Sequence, residues 1–192
     1  MRLGTLGVIA LAVLFAPTIS PWQAAADEKE DYGKLLKVLP KSKHSLAEGI
    51  KQAAAKAPEV AISAKFELED GKLSLSVYTA QKGFGGDSEH NILKELSGSP
   101  ETTQWKPEVE VFKDVPHVSR SAEQFTLMSL SKFSLLDILA KAEKDQAGTV
   151  FSIIPVLHDR KAHAEVLVAN DGKVVELHYD LMTGQRVKSA KQ

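Results

Sequence analysis

Two stretches of the chain align on each other without a gap, and this internal similarity constrains the fold more than any other feature. Residues 45–80 fall on residues 134–169 at a constant offset of 89. Identities are few, but the apolar positions agree, and the alignment keeps a helix start, a helix stop and a hairpin turn in register. We therefore predict two modules of the same type, one on each stretch.

Each stretch opens with the signal for a capped helix. Ser45 with Glu48, and Ser134 with Asp137, have the three-residue spacing of a capping box. Pro58 and Gly148 then mark the expected helix ends. Between these signals the apolar residues recur at helical spacing, and they are Leu46, Ile50, Ala53 and Ala57 in the first stretch and Leu135, Ile138, Leu139 and Ala142 in the second.

After each helix the pattern changes to extended runs that flank polar turns. The runs are residues 61–68 and 73–78 in the first stretch and residues 150–157 and 162–169 in the second. Residues 73–77 alternate strictly between apolar and polar, which is typical of a strand with one wet face. In the second stretch a turn at residues 170–173 leads into a third run at residues 174–181. The pattern predicts antiparallel hairpins.

The first stretch departs from the second where its third strand would stand. A glycine-rich segment at residues 82–86 is followed by residues 89–96, which we predict to form a short helix closed by Gly98. Residues 101–112 have strand character, but Pro107 confines a strand there to the edge of a sheet.

Between the two predicted modules lies a segment with weaker signals. Residues 114–121 are predicted to form a loop, and the apolar residues 125–128 are expected to pair or pack between the modules. Trp105, Phe112 and Phe125 form either part of the core or a patch that faces a partner, and large rings in a small protein favour the core.

The N-terminus has the order of a cleavable secretory signal. Arg2 precedes the apolar residues 6–15, and the small residues 24–26 precede a charged stretch. About ten apolar residues are too few to cross a bilayer, which takes about twenty. We expect a periplasmic or secreted protein with no membrane span after signal cleavage. Because the chain has no cysteine, a lipid-modified cysteine and disulfides are both excluded.

These features predict the organisation of the chain. The expected parts are a signal peptide at 1–26, a charged leader at 27–43, a first module at 44–128 and a second module at 129–190. The predicted fold class is α+β, with a helix packed on an antiparallel β-sheet in each module. The 24 basic and 25 acidic side chains give a net charge of -1, which excludes nucleic acid as a partner.

The end of the second stretch resembles the end of a PepSY domain. In that family the last strand runs into an Asp, a Thr-Gly turn and a short apolar finish, which Asp180, Thr183, Gly184 and Val187 match. The resemblance covers residues 134–187 and extends to the first stretch through the internal similarity, although the first stretch lacks the Thr-Gly ending. The chain is thus similar to tandem PepSY-like modules in a small exported bacterial protein.

The resemblance also implies a type of function. PepSY domains occur in the propeptides of secreted metallopeptidases and in small exported proteins, and a peptidase-restraining or regulatory role has been proposed for them. The family brings no catalytic residues and no cofactor. The expectation is a binding or regulatory protein that restrains a peptidase or engages another envelope polypeptide, with the partner's identity and the oligomeric state left open.

An enzymatic function finds little support among the residues. Asp114, His117 and Ser121 are close in sequence, but no Gly-x-Ser-x-Gly elbow presents a nucleophile and no cysteine is present. We interpret the three residues as part of a solvated loop, and we expect no catalytic activity.

One group of side chains suggests a metal-linked alternative. Alternation places His163 and Glu165 on one strand face, and Glu176 and His178 on the same face of the hairpin partner, so that imidazole and carboxylate could converge on a divalent metal. A periplasmic metal-linked or signalling sensor is therefore the second functional hypothesis. The competing interpretation is a set of cross-strand acid–histidine pairs on a solvated surface. The remaining histidines are predicted to lie in exposed polar turns, and they are His44, His90, His117 and His158.

The strands that are expected to be exposed to solvent suggest a way to bind a polypeptide. An unpaired sheet edge accepts an extended peptide by strand addition. Residues 73–78 and 101–112 are the predicted edge elements. The expected contact site for a protein or peptide partner is such an edge or a groove between the two modules.

Overall fold

The computed structural model describes residues 32–85 and 88–187. The predicted signal peptide, the first residues of the predicted leader and the last residues of the predicted second module lie outside this range. The described chain is of the α+β class, as predicted. None of its helices is long and apolar enough to cross a membrane.

A single antiparallel sheet forms the framework of the described chain. Its strands follow the order β4-β3-β2-β1-β5-β6-β7-β8, so that β4 and β8 lie at the two edges. The strands are β1 Val60–Glu69, β2 Lys72–Ala80, β3 Leu93–Gly98, β4 Glu108–Val111, β5 Thr149–His158, β6 Lys161–Asn170, β7 Lys173–Asp180 and β8 Arg186–Val187. The five extended runs expected from the alternating pattern are thus strands β1, β2, β5, β6 and β7.

The hairpin β1–β2 has the same register as the hairpin β5–β6. Val60 pairs with Ala80 and Thr149 pairs with Ala169, and adding 89 to any β1–β2 pair gives a β5–β6 pair. Both ladders also shift register at the corresponding place, and these shifts lie between Ala61 and Ser63 and between Val150 and Ser152.

The two halves of the sheet join through their first strands. β1 and β5 pair antiparallel, with Ala64 opposite Ile153 and Lys65 opposite Ser152. Ala64 and Ile153 are themselves 89 residues apart. When corresponding residues of two antiparallel strands face each other, an approximate two-fold axis passes between them. The halves therefore lie as a continuous sheet around such an axis.

Four helices pack on this sheet. α1 is helical over residues 32–38, and α2, α3 and α4 are Leu46–Ala53, Val115–Leu130 and Leu135–Asp145. Both predicted capping boxes are confirmed. The Ser45 hydroxyl accepts from the Glu48 amide at 3.2 Å and the Ser134 hydroxyl accepts from the Asp137 amide at 3.2 Å. α2 ends at Ala53, before Pro58, whereas α4 extends to Asp145.

The main core lies between α1, α2 and α4 and one face of the sheet. Buried apolar residues from both halves form one cluster there, and they include Leu46, Ile50, Phe66, Leu135, Leu139 and Val166. Leu35 and Leu39 are also buried in this cluster. The predicted charged leader therefore contributes to the core, because its leucines recur on one side of α1 and the turn that follows it.

The prediction of a short helix at residues 89–96 is wrong. Only Ser88–His90 form a 3-10 turn, and Leu93–Gly98 form strand β3. β3 is paired on one side with β2 and on the other with β4. Pairing on both sides and partial burial outweigh the weak local helix preference of this segment. The first half thus has a third strand that corresponds to β7.

The prediction of a loop at residues 114–121 is also wrong. Residues 115–121 and the apolar residues 125–128 belong to α3, which Asp114 caps by accepting from the His117 amide at 3.1 Å. α3 packs on the sheet face opposite to α2, where the Ser63 hydroxyl donates to Gln124 Oε1 at 2.6 Å. Phe125 packs there against a second cluster that contains Tyr78 and Phe112.

The core interpretation of the aromatic residues is confirmed for two of them. Trp105 and Phe112 are 3% and 8% exposed. Phe125 is half-buried against the second cluster. Trp105 is held by its indole N–H, which donates to the Gly98 carbonyl at 3.2 Å.

Candidate functional site

The four residues predicted as metal ligands lie on one face of β6 and β7. Glu165 is directly opposite His178, and His163 is opposite Asp180. One donor atom each from Glu165, Glu176 and His178 lies within 4.8 Å of the others. Because residues two apart in a strand point to the same side, His163 shares this face.

A third histidine joins this group from the next strand. His158 is the last residue of β5, and its ring centroid lies 6.2 Å from that of His163 and 6.1 Å from that of His178. The centroids of His163 and His178 are 6.3 Å apart. We call His158, His163, Glu165, Glu176 and His178 the histidine face.

The sequence interpretation missed His158 because it assigned that residue only to an exposed turn. The side chain is indeed 64% exposed. The hairpin register contains the missing signal, since a two-residue turn pairs His158 with Lys161 and Val156 with His163. Alternation then places His158 and His163 on the same face.

His163 is not on a solvated surface, which corrects the competing interpretation. It is 4% exposed, and neither of its ring nitrogens has a hydrogen-bond partner among the described residues. Burial lowers the pKa of His163, and the neighbouring His178 and His158 lower it further against the opposing effect of Asp180. The imidazole is therefore neutral near pH 7, the form that offers a lone pair.

His178 pairs with an acidic residue of its own strand. Its Nε2 lies 2.5 Å from Glu176 Oε1, two residues earlier in β7. Its Nδ1 is buried and has no hydrogen-bond partner in the described chain. A carboxylate on one ring nitrogen fixes the tautomer and leaves the lone pair on the other.

The first half of the sheet carries different chemistry at the corresponding positions. Ser74 and Ser76 stand 89 residues before His163 and Glu165, and both are buried. Ser97 pairs with Ser76 as His178 pairs with Glu165, so Ser97 corresponds to His178. The same backbone arrangement thus presents three hydroxyl groups in one half and two imidazoles and a carboxylate in the other.

The residues that carry the PepSY resemblance form a turn. The Asp180 carboxylate accepts from the amides of Met182 and Thr183, each at 2.8 Å. Burial alone would raise the pKa of Asp180, but these two hydrogen bonds lower it below its ordinary value. Gly184 has a φ of 64°, and its carbonyl accepts from Lys141 Nζ at 2.8 Å.

This turn is structural because it attaches the end of β7 to α4. A Cβ on Gly184 would lie 2.5 Å from Lys141 Nζ and 2.8 Å from the Phe133 ring. Only glycine combines the left-handed backbone with so close an approach. Asp180, Thr183 and Gly184 therefore stabilise the fold, and Asp180 lies opposite His163 at the border of the histidine face.

Asp114 and His117 are exposed at the start of α3, whereas Ser121 is buried. His117 Nδ1 lies 2.7 Å from the Asp114 carboxylate at the start of α3, and its ring stacks on Phe112. A hydrogen bond from the His117 backbone amide lowers the pKa of Asp114. Ser121 is 1% exposed, so its hydroxyl does not face solvent as the loop interpretation expected.

The two predicted edge elements have different positions in the sheet. β2, which contains residues 73–78, lies inside the sheet between β1 and β3, so its prediction as an exposed edge is wrong. β4 is an edge strand that follows Pro107, and all four of its residues are exposed. Val109 and Val111 are 58% and 44% exposed.

Two residues of β4 have backbone amide and carbonyl groups that point away from β3, toward the open edge of the sheet. The Phe112 amide donates to the Leu93 carbonyl at 3.3 Å, which makes this a hydrogen-bonded pair. In an antiparallel ladder such pairs alternate with pairs whose amides and carbonyls point outward. Val109 and Val111 occupy the outward-pointing positions, since they stand three and one residues before Phe112.

Comparisons with known proteins do not assign a family. No family model matches the chain, and no curated protein matches it. A crystal structure from Clostridium difficile 630, of a protein assigned as a lipoprotein, is 14% identical. The match covers 77% of this chain and 92% of that chain with a TM-score of 0.38, a similarity too low to transfer fold details or function.

Proposed function

We propose that this protein is an exported, non-enzymatic binding protein of PepSY type. We further propose that it binds an extended segment of another polypeptide, from a peptidase or another envelope protein, along the free edge of β4. The observation that carries this proposal is the outward direction of the Val109 and Val111 backbone groups on an exposed edge strand.

The PepSY assignment and export rest on separate features. The helix-then-hairpin order recurs in both halves with the same register, which supports two PepSY-like modules. The turn at Asp180 and Gly184 supports the same kinship in the second half. The signal-like order of the first 26 residues supports export.

The side chains of β4 suggest which segment would bind. Glu108 and Glu110 alternate with Val109 and Val111, and all four are exposed. Acidic residues on an edge oppose pairing with a second copy of the same strand, because like charges would face each other. A partner strand that alternates basic and apolar residues would instead complement both the charges and the valines.

The experiment uses a substitution that removes one outward amide. Val109→Pro leaves the β3–β4 ladder intact, since the amide of residue 109 does not bond to β3, but it removes the donor that an added strand needs. Val109→Thr is the matched control because it keeps the amide and a β-branched side chain. A photo-reactive residue at position 111 then reports contacts in an extract of the native envelope, identified by mass spectrometry.

We expect a covalent adduct with a segment rich in basic residues, lost in Val109→Pro and retained in Val109→Thr. The same photo-reactive residue at Asp171, an exposed turn position on the other half, should give no such adduct. Equal adducts in the Pro and Thr variants, or an adduct made only with a second copy of this chain, would refute strand addition at β4.

A further inference from the structure

Three buried imidazole nitrogens on the histidine face have no hydrogen-bond partner in the part of the chain that the structure describes. They are both ring nitrogens of His163 and Nδ1 of His178. Buried polar atoms are normally paired, because leaving them unpaired costs stability. Lone pairs that converge from neighbouring strands are well suited to hold a metal ion.

We propose that His158, His163 and His178 bind one divalent transition-metal ion, represented by Zn²⁺. The three ring centroids form a nearly regular triangle with sides of 6.1 to 6.3 Å. With zinc–nitrogen bonds of about 2.1 Å in a tetrahedral site, the centroids of ligating imidazoles lie about 5 Å apart. Small side-chain rotations therefore close the triangle onto an ion.

Carboxylates beside the histidines complete the arrangement. The Glu176 carboxylate lies on Nε2 of His178, and Asp159 Oδ2 lies 3.4 Å from Nε2 of His158. A carboxylate on the outer nitrogen is the usual support of a metal-ligating histidine, because it orients the ring and fixes the tautomer. Both histidines would then bind through Nδ1, with Glu176 and Asp159 as positioning residues.

The donor set selects the kind of metal. Imidazole nitrogens suit Zn²⁺, Cu²⁺ and Ni²⁺, whereas Mg²⁺ and Ca²⁺ require sites built from oxygen. The Glu165 carboxylate is the fourth ligand within reach, since one of its oxygens lies within 4.8 Å of a His178 ring nitrogen. Three histidines and a carboxylate bind Zn²⁺ in a four-coordinate site.

The first half of the sheet shows which residues the same backbone arrangement accepts in place of the histidines. Ser74 and Ser97 occupy the positions that correspond to His163 and His178. His163→Ser and His178→Ser therefore copy residues found on an equivalent backbone. His90→Ala is the matched control, because His90 is an exposed histidine in the 3-10 turn of the first half.

The experiment titrates the purified protein with Zn²⁺ by isothermal calorimetry and follows the histidine ring signals by NMR. We expect one Zn²⁺ per chain, with affinity weakened by about tenfold or more in His163→Ser and in His178→Ser and unchanged in His90→Ala. Zn²⁺ should shift the ring signals of His158, His163 and His178 and leave those of His44, His90 and His117 in place. It should also raise the melting temperature of the wild type by more than that of the Ser variants at the same Zn²⁺ concentration.

Several results would overturn the site. One is the absence of zinc binding to a wild-type protein that far-ultraviolet circular dichroism shows to be folded. A second is a His163→Ser variant that is folded and binds as tightly as the wild type, which would place the ion on Glu165, Glu176 and His178 alone. Loss of binding in His90→Ala would point to a different location.

Discussion

Glu95 is a half-buried carboxylate directly opposite Tyr78 in the β2–β3 ladder. Burial raises the pKa of Glu95, and the nearby carboxylates of Glu67 and Glu110 raise it further. Burial also raises the pKa of the Tyr78 hydroxyl, with Glu95 as a contributing charge. The ionised form of Glu95 is thus less stable in the folded protein than in the unfolded chain.

The first prediction follows from this raised pKa. Because the folded state binds the Glu95 proton more tightly, stability is highest when Glu95 is protonated and falls as the pH rises from the unfolded pKa through the folded pKa. Glu95→Gln keeps an acceptor oxygen but no charge. We expect urea denaturation to show the variant more stable than the wild type at pH 7, with the difference closing as the pH falls below the unfolded pKa. A difference that does not vary with pH would contradict this origin.

The two capped helices, α2 and α4, are corresponding elements of the two halves. Ser45 and Ser134 each accept a backbone hydrogen bond at 3.2 Å, and their own amides donate to Glu48 and Asp137 at 2.7 and 2.8 Å. Hydrogen bonds from these serines lower the pKa of Glu48 and of Asp137. The stabilisation from each box is therefore present above the unfolded pKa and is lost as the pH falls through the folded pKa.

The second prediction tests whether the two caps are equivalent. Ser45→Ala and Ser134→Ala should each lower the free energy of unfolding by about 1 kcal/mol, because each removes the acceptor for one helix amide. Ser45→Thr and Ser134→Thr should remain close to the wild type, since Thr keeps a hydroxyl that accepts from the helix amide and donates to the carboxylate of Glu48 or Asp137. Chemical denaturation at neutral pH measures all four. An Ala variant as stable as its Thr counterpart would show that the cap contributes nothing at that position.

At the scale of the whole molecule, both halves share one sheet and one main core. β1 pairs with β5 at the centre, and the buried residues of α2 and α4 belong to the same cluster. Leu46 and Leu135 stand at corresponding positions of these helices, and each is 2% exposed. Halves that share a core in this way are expected to unfold together.

The third prediction is a single unfolding transition that either half can destabilise. Leu46→Ala and Leu135→Ala should each cost about 2–5 kcal/mol, because each leaves a cavity in the common core. Leu130→Ala, at a position that is 57% exposed, should change the stability by less than about 0.5 kcal/mol. Calorimetry measures the number of transitions and their midpoints. Two transitions, of which each core variant shifts only one, would show that the halves fold separately.

Local signals in the chain were enough to place both capped helices and five of the strands. A capping box, a two-residue turn and the alternation of apolar residues each involve only a few consecutive positions. Neighbouring residues therefore determine the secondary structure that these signals predict. The shared face of His163, Glu165, Glu176 and His178 follows from the same alternation.

The remaining elements and the contacts of the histidine face were determined by long-range packing. Such packing depends on which distant segments of the chain come into contact. Residues 93–98 became a strand through pairing with β2 and β4, and residues 115–130 became a helix on the other sheet face. The pairing of Ala64 with Ile153 merged two predicted modules into a continuous sheet. The burial of His163, and the position of His158 near His163 and His178, likewise result from the pairing of three neighbouring strands. Contacts between distant segments determine the exposure and the partners of these side chains, and no short sequence pattern encodes them.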